Sequence, residues 1–117
     1  MDTAVVIINE APSSMRAWNG FRLAAAFVGA DMKPMVFLLN DGVFCAIKGQ
    51  KTPDELSGQN TGNKIAELLG LGGSVKLCTQ CAETRGVTKD MVVEDVDWVS
   101  MVDLAKAVRD CAKVVSF

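Results

Sequence analysis

Two cysteines, Cys78 and Cys81, carry the most reactive side chains of this sequence. The segment just before them, Val75 to Leu77, alternates apolar and polar residues as a strand does. The residues just after them favour a helix that ends at Gly86. The pattern predicts that a strand passes into a helix at Cys78.

A thiol at the start of a helix lies among unpaired backbone N–H groups that carry a partial positive charge. Free cysteine has a pKa of about 8.5, and a helix N-terminus or a Cys-x-x-Cys arrangement commonly lowers it. We therefore expect Cys78 to have a lowered pKa and to act as a nucleophile. Cys81, one turn further on, is expected to attack a disulfide or persulfide formed on Cys78.

The other two cysteines, Cys45 and Cys111, have different surroundings. Cys45 follows the second predicted strand, which makes it a candidate for lining a pocket near Cys78, and a buried apolar thiol is the alternative. Cys111 lies beside the apolar stripe of the last helix. We expect it to be a structural thiol of the core.

The chain contains neither histidine nor tyrosine. This excludes Ser-His and Cys-His catalysis and every histidine metal site. Zinc would then require all four cysteines or added carboxylates. No glycine-rich phosphate loop follows the first strand, which disfavours a flavodoxin-like nucleotide site. We expect neither a metal nor a cofactor.

The length of 117 residues predicts one domain, residues 1–117, with a core of its own. Half of the residues are hydrophobic, and the net charge of -2 gives no basic surface for nucleic acid. The first residues show neither a basic segment nor an apolar run long enough for a signal peptide or a membrane span. We expect a cytoplasmic protein with reduced thiols and no membrane partner.

Apolar, β-branched runs alternate with segments of helical periodicity along the chain. Strands are predicted at residues 4–8, 35–39, 75–77, 91–98 and 113–117. Helices are predicted from Ser14 to Gly29, over 43–49, from a cap within Asn60 to Asn63 up to Gly70, from Cys78 to Gly86 and from Ser100 onward. A single helical turn is predicted from the capping box at 52–55 to Gly58. This order predicts an α/β fold with a parallel sheet and helices on both faces.

The site of such a fold lies beyond the carboxyl ends of its strands. Three segments should meet there, namely 9–12, 40–45 and Cys78. Because the Asn40-Asp41-Gly42 turn follows the second strand directly, we expect Asn40 and Asp41 near Cys78.

The arrangement resembles the DsrE/DsrF-like family. A strand that ends in Cys78, a helix closed by Arg85-Gly86, the turn at 40–42 and an apolar strand ending in Phe117 carry the resemblance. It extends over all 117 residues in element order, and the Cys-x6-Arg-Gly spacing is its most specific part.

The resemblance implies a three-layer α/β/α fold with a five-stranded, mostly parallel sheet and a persulfide on the cysteine that matches Cys78. It also implies a homo-oligomer, a trimer or hexamer, with sulfur donor and acceptor proteins as partners. Arg85 would then line the pocket together with Asn40, Asp41 and Cys45.

The leading interpretation is a sulfur carrier or sulfurtransferase-like protein with Cys78 and Cys81 at its site. A Cys-x-x-Cys thiol-disulfide oxidoreductase is a second possibility, although the proline that thioredoxins place after their motif is missing here. A non-catalytic assembly or regulatory subunit is a third. Normal function after loss of the cysteines would favour that last interpretation.

Overall fold

The chain forms one sheet of five strands in the order β4-β3-β2-β1-β5, and every pair of neighbouring strands is parallel. The computed structural model describes residues 1–117 except for the side chains of residues 57 and 58. In chain order the elements are β1 (Thr3–Ile8), α1 (Met15–Gly29), β2 (Lys33–Leu38), α2 (Thr61–Gly70), β3 (Ser74–Cys78), α3 (Thr79–Thr84), β4 (Asp97–Val99), α4 (Met101–Asp110) and β5 (Lys113–Ser116). Short 3-10 helices span Asn40–Ala46, Asp54–Gln59 and Lys89–Met91.

The strand order determines which face of the sheet each helix covers. From β1 to β4 the strands advance in one direction, so right-handed crossovers place α1, α2 and α3 on the same face. The chain then returns past β1 to β5, which puts α4 on the opposite face. The predicted three-layer α/β/α fold is confirmed, with unequal outer layers.

The two faces of the sheet bury very different amounts of apolar surface. The large cluster packs Phe21 of α1, Ile65 of α2 and Ala82 of α3 against inward side chains of the central strands. The fully buried members of the small cluster are only Val5, Phe37 and Leu104. The face that α4 covers is therefore the thinner half of the structure.

Side-chain caps fix the starts of the longer helices where the sequence predicts them. Ser14 caps α1, and the side-chain Oδ1 of Asn60 accepts a hydrogen bond of 3.0 Å from the Asn63 backbone amide at the start of α2. At α4 the Ser100 amide donates to the Asp103 carboxylate at 2.9 Å, and the Ser100 hydroxyl accepts from the Asp103 amide in return.

The strand predicted at 91–98 is wrong in length, because β4 consists only of Asp97–Val99. Lys89–Met91 forms a 3-10 turn, and Asp95 has a left-handed backbone with φ of 68°, which interrupts an extended chain. A single antiparallel bridge between Ile47 and Val92 replaces the missing part of the strand.

A helix that spans a bilayer needs about 20 predominantly apolar residues. Within the described part of the chain, no helix has both the length and the apolar character needed to span one.

A close approach between β1 and the loop after β2 gives a direct test of the fold. A Cβ atom built on Gly42 would lie 2.1 Å from the Ile8 carbonyl oxygen, whereas one built on Gly70 would contact nothing within 4 Å. Gly42→Ala must therefore displace the backbone and should lower the free energy of unfolding by at least about 2 kcal/mol.

Urea titration followed by circular dichroism, at matched protein concentration, measures this difference. The control Gly70→Ala should leave the stability unchanged or raise it by up to about 1 kcal/mol. Equal stability of the two variants would contradict the observed approach of the loop to β1.

Candidate functional site at the end of the third strand

Cys78 is the last residue of β3 and the N-cap of α3, as the sequence predicts. It pairs with Val99 in the ladder to β4, and only 6% of it is exposed. Its sulfur accepts a hydrogen bond from the Cys81 amide, with an N to Sγ distance of 3.3 Å. Cys81 itself is partly exposed.

The expectation of a lowered pKa at Cys78 is wrong for this structure. Burial is the largest influence and raises the pKa, and a hydrogen bond with the Cys81 side chain raises it further. The amides of Cys81 and Gln80 act in the opposite direction but do not outweigh burial. The helix that follows spans only Thr79–Thr84, so the N-terminal field on which the expectation rested is weak.

Cys78 opens into a cavity of about 240 Å³ between the start of α3 and the start of α4. Its lining residues are Cys78, Thr79, Gln80, Glu83, Val99, Ser100 and Met101. The parallel pairing of β3 with β4 brings these two segments together, because each begins directly beyond the carboxyl end of its strand.

Arg85 and Asp41 meet beside the second cysteine. The Arg85 Nε atom lies 2.9 Å from the Asp41 carboxylate, and a terminal nitrogen of Arg85 donates to the Cys81 carbonyl oxygen at 3.2 Å. The pair thus ties the end of α3 to the loop after β2. The pKa of Cys78 is set by burial and by residues 80 and 81, so Arg85 holds the backbone rather than stabilising the thiolate.

Asn40 lies at the same edge of the sheet but binds a different neighbour. Its backbone is left-handed with φ of 51°, a conformation that asparagine tolerates well. Its side-chain amide donates to the side-chain Oδ1 of Asn9 at 2.9 Å, and the Asn9 side-chain amide in turn donates to the Ser116 hydroxyl and the Phe117 backbone oxygen. This chain of amides joins the ends of β1, β2 and β5.

Cys45 is placed in the core and does not line the cavity of Cys78. It is fully buried, and burial raises the pKa of its thiol to about 12, while a hydrogen bond with Thr61 lowers it slightly. Its sulfur lies 3.5 Å from the Glu10 carbonyl oxygen. The alternative of a buried apolar thiol describes it correctly.

Cys111 is partly exposed at the C-cap of α4 and packs against the small cluster. It is therefore less buried than a core thiol.

Gly86 closes α3 and so sets how far the helix extends from Cys78. It has a φ of 71°, its amide binds the Glu83 carbonyl, and the Val87 amide binds the Ala82 carbonyl. These two hydrogen bonds form a Schellman motif, with Val87 and Ala82 both in the large cluster. The Arg-Gly pair thus has a structural reason, since Gly86 supplies the left-handed cap and Arg85 the link to Asp41.

Several residues around the cavity were not predicted as site residues. Glu83 lies on α3, the helix that Cys78 caps, whereas Ser100 and Met101 lie beside Cys78 because β4 is the neighbour of β3. The capping box at Ser100, placed directly after the last valine of β4, was the signal that could have located them. In the described part of the chain, no group of three or more His, Cys, Asp or Glu side chains could hold a metal ion.

The influence of Cys81 on Cys78 predicts the direction of a pKa change. Cys81→Ala removes the side-chain hydrogen bond and the charge interaction that raise the pKa of Cys78, and it keeps the backbone amide that lowers it. The pKa of Cys78 should therefore fall, so its alkylation should accelerate at a lower pH.

The measurement is the rate of carboxamidomethylation of Cys78 between pH 6 and 10, resolved by peptide mass spectrometry. Cys111→Ala serves as the control and should leave the profile of Cys78 unchanged. A profile that stays in place or moves to higher pH in Cys81→Ala would refute the interaction between the two thiols.

Comparison with known proteins places this chain in a family. The family model described as DsrE/DsrF-like matches residues 1–117. An uncharacterised protein of Methanopyrus kandleri is 32% identical over 118 residues, which cover 100% of this chain and 95% of the relative. A TusC homolog of Aliivibrio fischeri is 27% identical over 97 residues, which cover 81% of this chain and 79% of the relative.

The fold also matches a solved structure. The crystal structure of the ychN protein from E. coli superposes with a TM-score of 0.90 at 29% identity and covers 100% of both chains. The whole-length family match and this common fold lead to one conclusion: the chain belongs to the DsrE/DsrF-like family.

Proposed function

We propose that this protein is a sulfur carrier of the sulfur-relay type that holds a sulfane sulfur as a persulfide on Cys78. One observation carries the proposal, namely that Cys78 opens into a small cavity with the Cys81 amide on its sulfur. Membership of the DsrE/DsrF-like family and the similarity to a TusC homolog support the same role.

Loading would transfer sulfur without net oxidation. The Cys78 thiolate attacks the outer sulfur of a donor persulfide, a new S–S bond forms at Cys78, and the donor S–S bond breaks. The donor leaves as a thiol after taking up the proton that Cys78 lost. The Cys81 amide, 3.3 Å from Sγ, can stabilise the negative charge that develops at this position.

The size of the cavity suits a small cargo. Pockets for drug-sized ligands and cofactors occupy about 300 to 1,000 Å³, and the cavity beside Cys78 has about 240 Å³. An S–S bond of about 2 Å carries the outer sulfur away from the buried Cys78 sulfur and into that cavity. The persulfide is thus more accessible than the thiol that bears it.

Release is where Cys81 would act. Its thiolate attacks the inner sulfur of the Cys78 persulfide, which forms a Cys78–Cys81 disulfide and expels hydrosulfide. A cellular dithiol would then reduce this disulfide and restore both thiols. When an acceptor thiol takes the outer sulfur instead, Cys81 is not needed.

A thiol-disulfide oxidoreductase is the second candidate. The Cys81 thiol lies near enough to raise the pKa of Cys78, which favours this function, since two neighbouring thiols can form a disulfide with little movement. A sulfur carrier needs only Cys78 to bind its sulfur, whereas a thiol-disulfide oxidoreductase needs both cysteines.

We also propose that the protein works as a homo-oligomer in the cytoplasm, where its thiols stay reduced. The thin face of the sheet supports assembly with a second copy. It leaves Val102 of α4 62% exposed and Val114 of β5 46% exposed, and a groove of about 450 Å³ lies between α4 and β4. Stable interfaces bury about 800 Å² on each partner, which is the area that this face would contribute to a dimer of standard size.

The first prediction of this proposal separates the roles of the two cysteines. Cys78→Ser should abolish sulfur loading, because the serine hydroxyl is not ionised at neutral pH and cannot hold a sulfane sulfur. Cys81→Ser should load normally and retain the sulfur at least several-fold longer. Each variant is incubated with the uncharged donor N-acetylcysteine amide persulfide, and bound sulfane sulfur is followed by cold cyanolysis.

Cys111→Ser is the matched control and should behave as wild type. Loading of Cys78→Ser at the wild-type level would exclude Cys78 as the carrier. If Cys81→Ser fails to load sulfur, the two thiols act as a unit, and the result favours the oxidoreductase function over the sulfur carrier.

The second prediction concerns assembly. Val114→Lys should shift the protein toward the 12.5 kDa monomer in sedimentation velocity experiments at micromolar concentration, because it places a charge on the thin face. Leu71→Lys is the control, since Leu71 is 49% exposed and follows α2 on the opposite face. A monomeric wild-type protein would refute the oligomer, and an equal effect of both substitutions would refute this face as the interface.

A further inference from the structure

The cavity beside Cys78 contains one charged side chain. Of its lining residues, only Glu83 carries a carboxyl group, and the others besides Cys78 are uncharged polar or apolar residues. Glu83 lies on α3 four residues after Thr79, so both side chains project toward the cavity from the same face of the helix. A carboxylate therefore borders the path to the Cys78 sulfur.

Within the part of the chain that the structure describes, no salt bridge neutralises this charge. Arg85, two residues further along, is paired with Asp41 at 2.9 Å. Lys76, two residues before Cys78, is paired with Asp97 at 3.2 Å. The ion pairs of the described residues do not include Glu83.

We infer that Glu83 determines specificity by selecting against anionic sulfur donors at Cys78. The inference rests on the proposed function and names its substrate class, a persulfide on a peptide segment whose flanking residues are neutral or basic. Thiosulfate and other sulfur oxyanions are disfavoured. Glu83 acts on the charge of the donor and takes no part in breaking or forming the S–S bonds.

The size of the cavity makes the effect measurable. Any group that reacts with Cys78 in a space of about 240 Å³ lies close to the carboxylate, well inside the Debye length of about 10 Å at 0.1 M salt. The attacking thiolate is itself negative, so an anionic donor meets two like charges at the reacting sulfur. Because Glu83 is exposed, the effect should be moderate and sensitive to salt.

The test uses two alkylating agents of nearly equal size, uncharged iodoacetamide and anionic iodoacetate. Both displace iodide by attack of the same thiolate, so their rate ratio at one cysteine reports the local charge. Tandem mass spectrometry localises the product to Cys78 and to Cys111, and the ratio at Cys111 corrects for intrinsic reactivity. The variants are Glu83→Gln and the control Glu94→Gln, which removes the same charge beside a different cavity.

We expect Glu83→Gln to lower the preference of Cys78 for iodoacetamide by roughly three- to tenfold at low ionic strength, and 1 M salt to remove most of that difference. Glu94→Gln should change nothing, and neither variant should alter the ratio at Cys111. An unchanged ratio in Glu83→Gln overturns the inference. Equal effects of the two variants also overturn it, because they would reflect only the net charge of the protein.

The donors themselves provide a second measurement that separates this inference from the proposed function. Wild type should load faster from N-acetylcysteine amide persulfide than from thiosulfate, and Glu83→Gln should reduce that difference. If the alkylation ratios change as expected but no donor loads Cys78, charge selection stands and the sulfur-carrier function fails. If thiosulfate loads wild type as fast as the uncharged donor, the selection by Glu83 is refuted while the carrier function remains.

Discussion

The right-handed connection between parallel strands is the constraint on which the rest of this structure depends. Because of it, the carboxyl ends of all five strands lie at one edge of the sheet. At that edge Cys78 ends β3, and the segments after β1, β2 and β4 contain Asn9, Asn40 and Ser100. The strand order reverses direction once, after β4, so the same handedness places α4 alone on the second face. The location of the cavity and the thinness of that face therefore have a common origin in the strand order.

Much of this architecture could be predicted from the sequence because its determinants are local. Apolar β-branched runs indicated the central strands, and Ser14, Asn60 and Ser100 marked the helix starts through their capping side chains. The length of β4 was not predictable in this way. Its limits depend on the left-handed Asp95 and on the bridge from Val92 to Ile47, which is a contact between distant residues.

The candidate site was predicted in its position but not in its electrostatics. A strand that passes into a helix at Cys78 is a local pattern, whereas the raised pKa depends on burial by residues far away in sequence. The same limit applies to Ser100 and Met101, whose proximity to Cys78 depends on β4 being the neighbour of β3. For Cys45 the local pattern was misleading. Its position after the second strand suggested that it lines the pocket near Cys78, but the side chain is buried in the core.

Burial of Cys78 and the charge of Glu83 restrict the thiol by different routes that act together. Burial disfavours the thiolate whatever approaches it, because a charge in an apolar environment loses hydration. Glu83 discriminates by the charge of the approaching molecule. A donor peptide with a lysine or arginine beside its persulfide would be attracted by Glu83, and the same cation would lower the pKa of Cys78 as it arrived. In the proposed sulfur relay, the thiolate would then form more readily in the complex with the donor than in the free protein.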